Sequence, residues 1–534
     1  MIKARSFLIS ISISVLCSFV LQAQFSPQSL KFGEVFEKIS NYYVDTLNQD
    51  KFIEQVIVQT LHDLDPHSSY LSKEDVNAMQ EPLDGNFDGI GVSFNILDDT
   101  IFIINTIAGG PSERVGIRGG DRIILIDGKV EAGVGIKNTD VQKKLKGKKG
   151  TKVTVSILRR NVPGLLDFTI TRDAIPIYSI DAAYMVDKKT GYIKLSRFSM
   201  TSVSEFYTAI EKLKDQGLQN LILDLCGNGG GYLRIAVELA DQFINGENLL
   251  VYTEGVKNPR HNYYSTNRGE FEKGKLIVMI DESSASASEI VAGAVQDLDR
   301  AVIVGRRSFG KGLVQQPFSL MDGSLIRLTV AKYYTPTGRL IQRSYEKGYD
   351  EYAREVADRY MFPQMNDTIG SPLSDSSRYR TLFKNRIVYG GGGISPDYFV
   401  PFDTSFFTGY YRQLISKGTL NQFILNYGDR HRAELKAKYK EFSEYKASFK
   451  VTTEMSDELI KYATAEGITY KEDDFKKSRE MIYLLSKAYL ARDLWETSEF
   501  FQIYNESEPI FRRAVEVMSQ PALYEKKLEA YIGK

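Results

Sequence analysis

The chain has 534 residues, 43% hydrophobic and 25% charged, with 68 basic and 68 acidic side chains. This is the composition of a soluble globular protein, long enough for three or four domains. A net charge of zero argues against nucleic-acid binding, which needs a basic face.

The N-terminal residues differ from the rest. Lys3 and Arg5 precede an apolar stretch, Phe7 to Leu21, and Ala23 follows as a cleavage position. Residues 1–23 read as a secretory signal peptide. The protein is therefore expected to be exported, to the periplasm or cell envelope, with retention as a membrane anchor the alternative. No later apolar run reaches the length needed to span a bilayer. Cleavage would remove Cys17 and leave Cys226 alone, so no internal disulfide is expected. The four histidines, His62, His67, His261 and His431, have no metal-ligand spacing, and no metal or cofactor is expected.

Residues 24–82 read as an N-terminal helical region. Leu30, Phe32, Val35, Phe36 and Ile39 recur at helical spacing, as do Phe52, Val56, Ile57, Thr60 and Leu61. Asp65 to Tyr70 breaks the pattern as a turn, in which His67 is expected to bond local backbone rather than act as a base.

Residues 83–172 read as short strands with glycine turns. One strand starts in Gly89-Ile90-Gly91-Val92 and pairs with Thr100 to Asn105 across Asp98-Asp99. A short helix capped near Ser112 is expected over Gly110 to Ile117, and a second through Val141 to Leu145. This series resembles a bacterial-type PDZ domain. The resemblance implies that an extended chain end adds to a strand. Backbone N–H groups of Gly89, Ile90, Gly91 and Val92 would take its carboxylate.

Residues 173–405 alternate strands and helices, which implies a sheet with helical cover. Residues 345–385 are polar and poorly periodic and read as an insertion. Residues 406–534 are charged and helix-rich, a candidate C-terminal helical domain for self-association or a partner adaptor.

Within 173–405, the apolar run Lys275 to Ile280 leads into Asp281-Glu-Ser-Ser-Ala-Ser-Ala-Ser-Glu289 and then a helix. A serine at a strand-to-helix turn can stand near free backbone N–H groups. Ser286-Ala-Ser-Glu289 also fits the capping-box pattern, so a serine cluster here has an ordinary structural explanation. A lone lysine, Lys311, lies 25 residues on (311 − 286) in Ser308-Phe-Gly-Lys-Gly-Leu-Val-Gln315. Serine with lysine is an alternative to serine with histidine, provided that the lysine is desolvated enough to be neutral. Asp224-Leu-Cys-Gly-Asn-Gly-Gly-Gly231 is a glycine turn at a strand end that can present N–H groups. It lacks the Gly-Lys-Ser/Thr ending of a phosphate loop.

Together these motifs resemble the carboxy-terminal processing (tail-specific) serine peptidases over residues 30 to 405. The resemblance implies a multidomain α/β fold, with a ClpP/crotonase-like protease core, an inserted or preceding PDZ domain and flanking helical domains. It implies Ser286 as nucleophile, Lys311 as general base and Gln315 as the residue that orients the lysine. Lys311 and Gln315 would share one side of a helical turn, or one face of an extended segment. The oxyanion donors would be the amide of Ala287 and that of Gly230 or Gly231. Many relatives carry arginine in place of Cys226 and proline in place of Gly229, which puts the pose of the turn in question. The implied function is exported endopeptidase cleavage of protein substrates near their C-termini. Two other readings stand beside it: a non-catalytic PDZ scaffold on a relic protease fold, and a crotonase-like acyl-CoA enzyme.

Overall fold

A computed structural model of the chain describes residues 26–361 and 377–529. The expected signal segment 1–23 and part of the insertion lie outside the described residues. The chain divides into two compact units, 1–70 and 71–534.

The first unit holds two helices, Pro27–Tyr42 and Gln49–Leu64, each started by a side-chain cap, Ser26 and Asn48. Phe36 stacks on Phe52, with ring centroids 6.2 Å apart. The turn after the second helix is organised by Asp65, whose carboxylate accepts the N–H groups of His67 (2.8 Å) and Ser68 (2.9 Å) and the Ser68 hydroxyl (2.6 Å). His67 thus sits in an Asx-type turn.

The second unit opens with the helix Lys73–Asp84, capped by Ser72 and ended by Gly85 at φ 78°. A two-stranded antiparallel ribbon follows, Asn86–Gly89 against Asp173–Pro176. The PDZ-like sheet lies between its two strands in sequence, so this body is inserted on a ribbon stalk. Its strands run in the order Val92–Leu97, Thr100–Thr106, Arg122–Ile126, Lys152–Leu158, Leu165–Thr171. Asp98 and Asp99 both take positive φ (48° and 50°), which suits a tight hairpin turn between twisted strands. Ile101, Ile103, Ile123, Val153, Val155 and Ile157 alternate inward and form the core with Val141 of the helix Asn138–Leu145. The short helix spans Pro111–Arg114 with Gly110 as N-cap. Ser112 is not its cap; it is buried and its hydroxyl donates to Ile90 O (2.6 Å).

The larger core is a six-stranded sheet in the order Ile180–Met185, Thr190–Leu195, Asn220–Asp224, Leu276–Ile280, Val302–Gly305, Tyr398–Phe399. The first pair is antiparallel and the others are parallel. The central strands are apolar throughout because both faces are covered. Helices Ser202–Asp215, Leu233–Asp241 and Ala287–Asp297 pack on one face. Helices Pro509–Ser519 and Pro521–Leu528 cover the other, placing Ile510, Phe511, Val517 and Tyr524 on Tyr192, Ile222, Ile277 and Val302.

Beside this sheet, the strands Leu313–Ser319, Leu325–Tyr334, Leu249–Glu254 and His261–Tyr264 pair antiparallel. The insertion carries a regular element, the helix Tyr349–Met361. Helices from Gly409 to Tyr504 surround a separate hydrophobic cluster that includes Tyr410, Phe423, Tyr445, Ile482 and Leu490. Among the described residues, no helix is long and apolar enough to cross a membrane.

Candidate active site

Three chain segments meet at the C-terminal ends of the central parallel strands, where α/β sheets place their ligands. The first follows Leu276–Ile280. Asp281 Oδ1 accepts the N–H groups of Ser283 (3.0 Å) and Ser284 (3.1 Å) within its own turn, and that of Gly227 (2.9 Å) from the glycine turn. The second segment is that glycine turn after Asn220–Asp224. The two are joined again by Asn228, whose carbonyl accepts the Ala285 N–H (3.0 Å) and the Ser288 hydroxyl (2.8 Å). The Ser284 hydroxyl donates to Leu225 O (2.8 Å). Two serines of the cluster therefore spend their hydroxyls on backbone. Ser286 is partly exposed.

Ser286 has φ 55° and ψ −110°, and the helix Ala287–Asp297 begins at the next residue. A non-glycine residue at this conformation is strained, and strand-turn-helix serines of this kind project a hydroxyl outward. Gly230 packs directly on it. A Cβ at Gly230 would lie 2.9 Å from Ser286 Cβ, 2.8 Å from Ala285 O and 3.1 Å from Ala287 N. Only glycine fits there, and its φ of +103° adds a second reason.

The amides of the turn are not equivalent. The Gly230 N–H donates to Asn228 Oδ1 (2.9 Å). Gly231 bridges in parallel with Phe198, whose N–H donates to Gly230 O and whose carbonyl accepts the Tyr232 N–H (3.0 Å each). Asn228 is itself fixed, with Nδ2 donating to Leu195 O (2.9 Å). Use of the Gly230 amide by a ligand requires Asn228 to share it.

The third segment carries Lys311. It is held to the serine turn by Glu289, which is almost fully buried. The Glu289 carboxylate accepts the N–H groups of Ser286 (2.9 Å), Gly310 (2.7 Å) and Lys311 (2.9 Å), and the Ser308 hydroxyl (2.5 Å). Burial pushes its carboxyl above the ordinary value, against these four bonds, which favour the ionised form. Tyr333 forms a second tie. Its hydroxyl lies 2.6 Å from Lys311 O and 3.1 Å from Ser286 O. Neither residue belongs to the serine-lysine-glutamine set read from sequence. Glu289 carried a signal only as a helix cap, and Tyr333 carried none.

Lys311 is partly buried and Gln315 lies beyond it on the strand Leu313–Ser319. The helical-turn placement of the pair is thus overturned, because the segment is extended, with a register shift between Val314 and Gln315. Gln315 Nε2 donates to Thr329 Oγ1 on the paired strand (3.3 Å).

Behind the glycine turn, Asp224 binds the Tyr192 hydroxyl (2.5 Å), Lys194 (3.1 Å) and the Cys226 N–H (2.8 Å), and Lys194 also donates to Cys226 O. Lys194 thus supports the Cys226 carbonyl from the neighbouring strand. Burial pushes the Cys226 thiol well up, so it stays protonated. A cavity of about 390 Å³ opens on this rear side, and its lining includes neither Ser286 nor Lys311. A second cavity, about 480 Å³, lies between the strand Val92–Leu97 and the helix Asn138–Leu145, with Ile90, Gly91 and Val92 in its wall. Gly91 is at φ 74°, and a Cβ there would meet Ile175 Cδ1 at 3.0 Å and Pro111 Cδ at 3.2 Å. Gly89 joins this loop to the ribbon stalk.

Comparison with known proteins agrees with this arrangement. Residues 189–348 match Peptidase family S41, residues 79–158 match the PDZ domain, and residues 410–496 match a family of unknown function, DUF8443. The carboxy-terminal-processing protease of Bartonella bacilliformis is 37% identical over 321 residues, covering 59% of this chain and 73% of that protein. The carboxy-terminal processing protease CtpB of Bacillus subtilis is 34% identical over 319 residues, 59% of this chain and 65% of that protein. A crystal structure of the PDZ domain of a Vibrio cholerae carboxy-terminal protease, in complex with peptide, is 35% identical, with a TM-score of 0.16. It covers 17% of this chain and 97% of that one. With its PDZ domain, its α/β core and this extent of likeness, the chain belongs to the carboxy-terminal processing proteases of peptidase family S41.

Proposed function

We propose that the chain is an exported serine endopeptidase that cleaves protein substrates near their C-termini through a Ser286/Lys311 dyad. The single observation that carries this reading is Glu289, which binds the backbone of Ser286 and of Lys311 with one buried carboxylate. A hub with this bonding has a reason to exist if the two residues must keep a fixed relation.

In this reading Lys311 takes the proton from Ser286 Oγ as the oxygen attacks the scissile carbonyl carbon. The carbonyl oxygen gains the negative charge and is met by the Ala287 N–H and one amide of the glycine turn, Gly231 or, if Asn228 shares it, Gly230. Collapse breaks the C–N bond, and Lys311 returns its proton to the leaving amine. Water then attacks the acyl-enzyme, with Lys311 again accepting and returning the proton. Gln315 restrains the lysine from the strand that follows it, Leu313–Ser319. The loop Gly89, Ile90, Gly91 and Val92 takes the free carboxylate of the substrate tail, which adds as a strand to Val92–Leu97. Export is supported by the charged and apolar pattern of residues 1–23.

The test is labelling by a serine-directed fluorophosphonate, together with cleavage of a protein that ends in an unstructured apolar tail. Ser286→Ala should abolish both, and Lys311→Ala should slow cleavage by about 10³-fold or more. Tail cleavage by either variant at the wild-type rate would sink the dyad.

A further inference from the structure

Lys311 lies in a stretch with no ladder of its own. Residues 306–312 run between the strands Val302–Gly305 and Leu313–Ser319 without regular structure. Their backbone groups must therefore find partners elsewhere. One set of partners comes from the serine side. Glu289 takes the Gly310 and Lys311 N–H groups, and the Tyr333 hydroxyl binds Lys311 O. The other set comes from residues 342–359. The Arg343 N–H donates to Gly310 O (3.1 Å), and Gln342 Oε1 accepts the Gly312 N–H (2.7 Å). Arg359 Nη1 donates to Ser308 O (2.7 Å). The residues immediately before and after the lysine are thus held by groups that are far from the serine turn in sequence.

All three of these partners rest on the helix Tyr349–Met361. Its Tyr352, Glu355 and Arg359 fall at i, i+3 and i+7 and share one face. Tyr352 and Arg359 are buried. A face that buries polar groups gives little apolar period, which is why the sequence hides this helix. The Arg343 guanidinium packs on the Tyr352 ring (3.6 Å to the centroid) and the Phe309 ring (4.4 Å), and donates to Tyr352 O (2.9 Å). Gln342 Nε2 donates to the Tyr352 hydroxyl (3.3 Å).

Glu355 closes this face. Its carboxylate binds Arg343, Arg359 (2.8 and 3.1 Å) and Arg307 (3.3 Å). Arg307 belongs to the lysine segment, and the other two lie across the joint from it. Glu355 therefore joins cations that repel one another. Burial, and then the Arg359 charge, lowers the Arg307 guanidinium to about 10, and Glu355 acts against this. Removing a shared carboxylate leaves the remaining charges uncompensated where they are least hydrated. Here that strain falls on the joint between the lysine segment and the helix.

We propose that Glu355 is a positioning residue for Lys311: it holds the helix Tyr349–Met361 against Ser308–Gly312 and so fixes the backbone on both sides of the base. The inference rests on Lys311 being the base. The part of Glu355 is geometric, because it binds three guanidiniums and takes no proton. Proton transfer from Ser286 needs the lysine within hydrogen-bond reach, and a small displacement of its backbone slows that step without weakening substrate binding.

The experiment uses the full chain, a short internal peptide for kcat and KM, and the rate of fluorophosphonate labelling. Glu355→Gln should lower kcat and the labelling rate about 30-fold, with KM within about twofold and native circular dichroism. Glu355→Asp keeps the charge and should return kcat to within about fivefold of wild type. Arg307→Met added to Glu355→Gln should raise kcat about fivefold over Glu355→Gln alone, because one of the crowded cations is gone. A wild-type kcat in Glu355→Gln overturns the inference. A loss carried by KM, an Asp variant as slow as the Gln variant, or a double variant no faster than Glu355→Gln makes Glu355 an ordinary structural ion pair and overturns it too. Failure of Glu355→Gln to fold has the same result, since the helix is then a folding element. Lys311→Ala is measured alongside. Wild-type labelling and cleavage in that variant remove the dyad itself. An inactive Lys311→Ala beside a full-rate Glu355→Gln removes the positioning role alone.

Discussion

The serine-lysine region and the PDZ-like groove both depend on a glycine at positive φ, Gly230 and Gly91, yet they are held in opposite ways. The loops around Ser286 are tied by shared polar hubs: Asp281 to two segments, Asn228 to two, Glu289 to two, and Tyr333 across the same gap. The groove is bounded by an open sheet edge, a partly exposed ion pair and a helix from outside its own sheet. Chemistry needs donors fixed before the substrate arrives, since reorganisation during the reaction raises the barrier. Capture of a varied chain end needs partners that exchange.

The largest effect that could break this contrast is at Gly230. Gly230→Ala forces a methyl group against Ser286 and Ala285 O, so peptide hydrolysis should fall by about 10²-fold or more while circular dichroism stays native. A variant of near wild-type rate would show that the turn is not rigid. Gly91→Val should act on the other region alone. Its left-handed backbone costs a β-branched residue about 1–2 kcal/mol. Cleavage of a tailed protein should drop about tenfold in kcat/KM, with a short internal peptide cut as before. An equal loss on both substrates would merge the two regions into one.

Tyr333→Phe removes one donor from the tie between Ser286 and Lys311. The loss should be about 1 kcal/mol of stability in chemical denaturation and less than about tenfold in kcat. A drop as large as that of Lys311→Ala would give the hydroxyl a direct part in proton transfer.

The smallest effect concerns the rear of the site. Burial, with Asp224 nearby, raises the Glu508 carboxyl from 4.5 to about 7. The folded chain therefore holds this proton through a range in which the unfolded chain has released it. Its contribution to stability is largest at low pH, falls as pH rises from about 4.5 to about 7, and is level above that, roughly 3 kcal/mol in all. Glu508→Gln keeps an oxygen to accept the Phe511 N–H and should flatten this slope, which Tm at pH 5 and pH 8 would reveal. A slope unchanged in the variant would assign it to other groups.

Much of the fold was legible because its signals are local. The strands Lys152–Leu158 and Leu276–Ile280 follow from alternation and from a continuous apolar run. The Asp98-Asp99 turn follows from residues that tolerate positive φ. The reading went astray where neighbours in space decide. Ser112 looked like a cap by composition, but its hydroxyl serves Ile90 from inside the PDZ-like core. Lys311 and Gln315 at a four-residue spacing fit a helix equally well until pairing with Leu325–Tyr334 made the segment a strand. The insertion hid the helix Tyr349–Met361 among polar residues with little period.

By itself the sequence determined the order of the bodies, the glycine positions and the family, because turns, periodicity and motif spacing are properties of short stretches. The tertiary structure alone decided what holds the motifs together. Glu289 reaches Lys311 across 22 residues, Tyr333 reaches Ser286 across 47, and the C-terminal helices cover the rear of the sheet from more than 200 residues away. A buried polar group must find a partner wherever the fold supplies one, and sequence distance places almost no limit on that search.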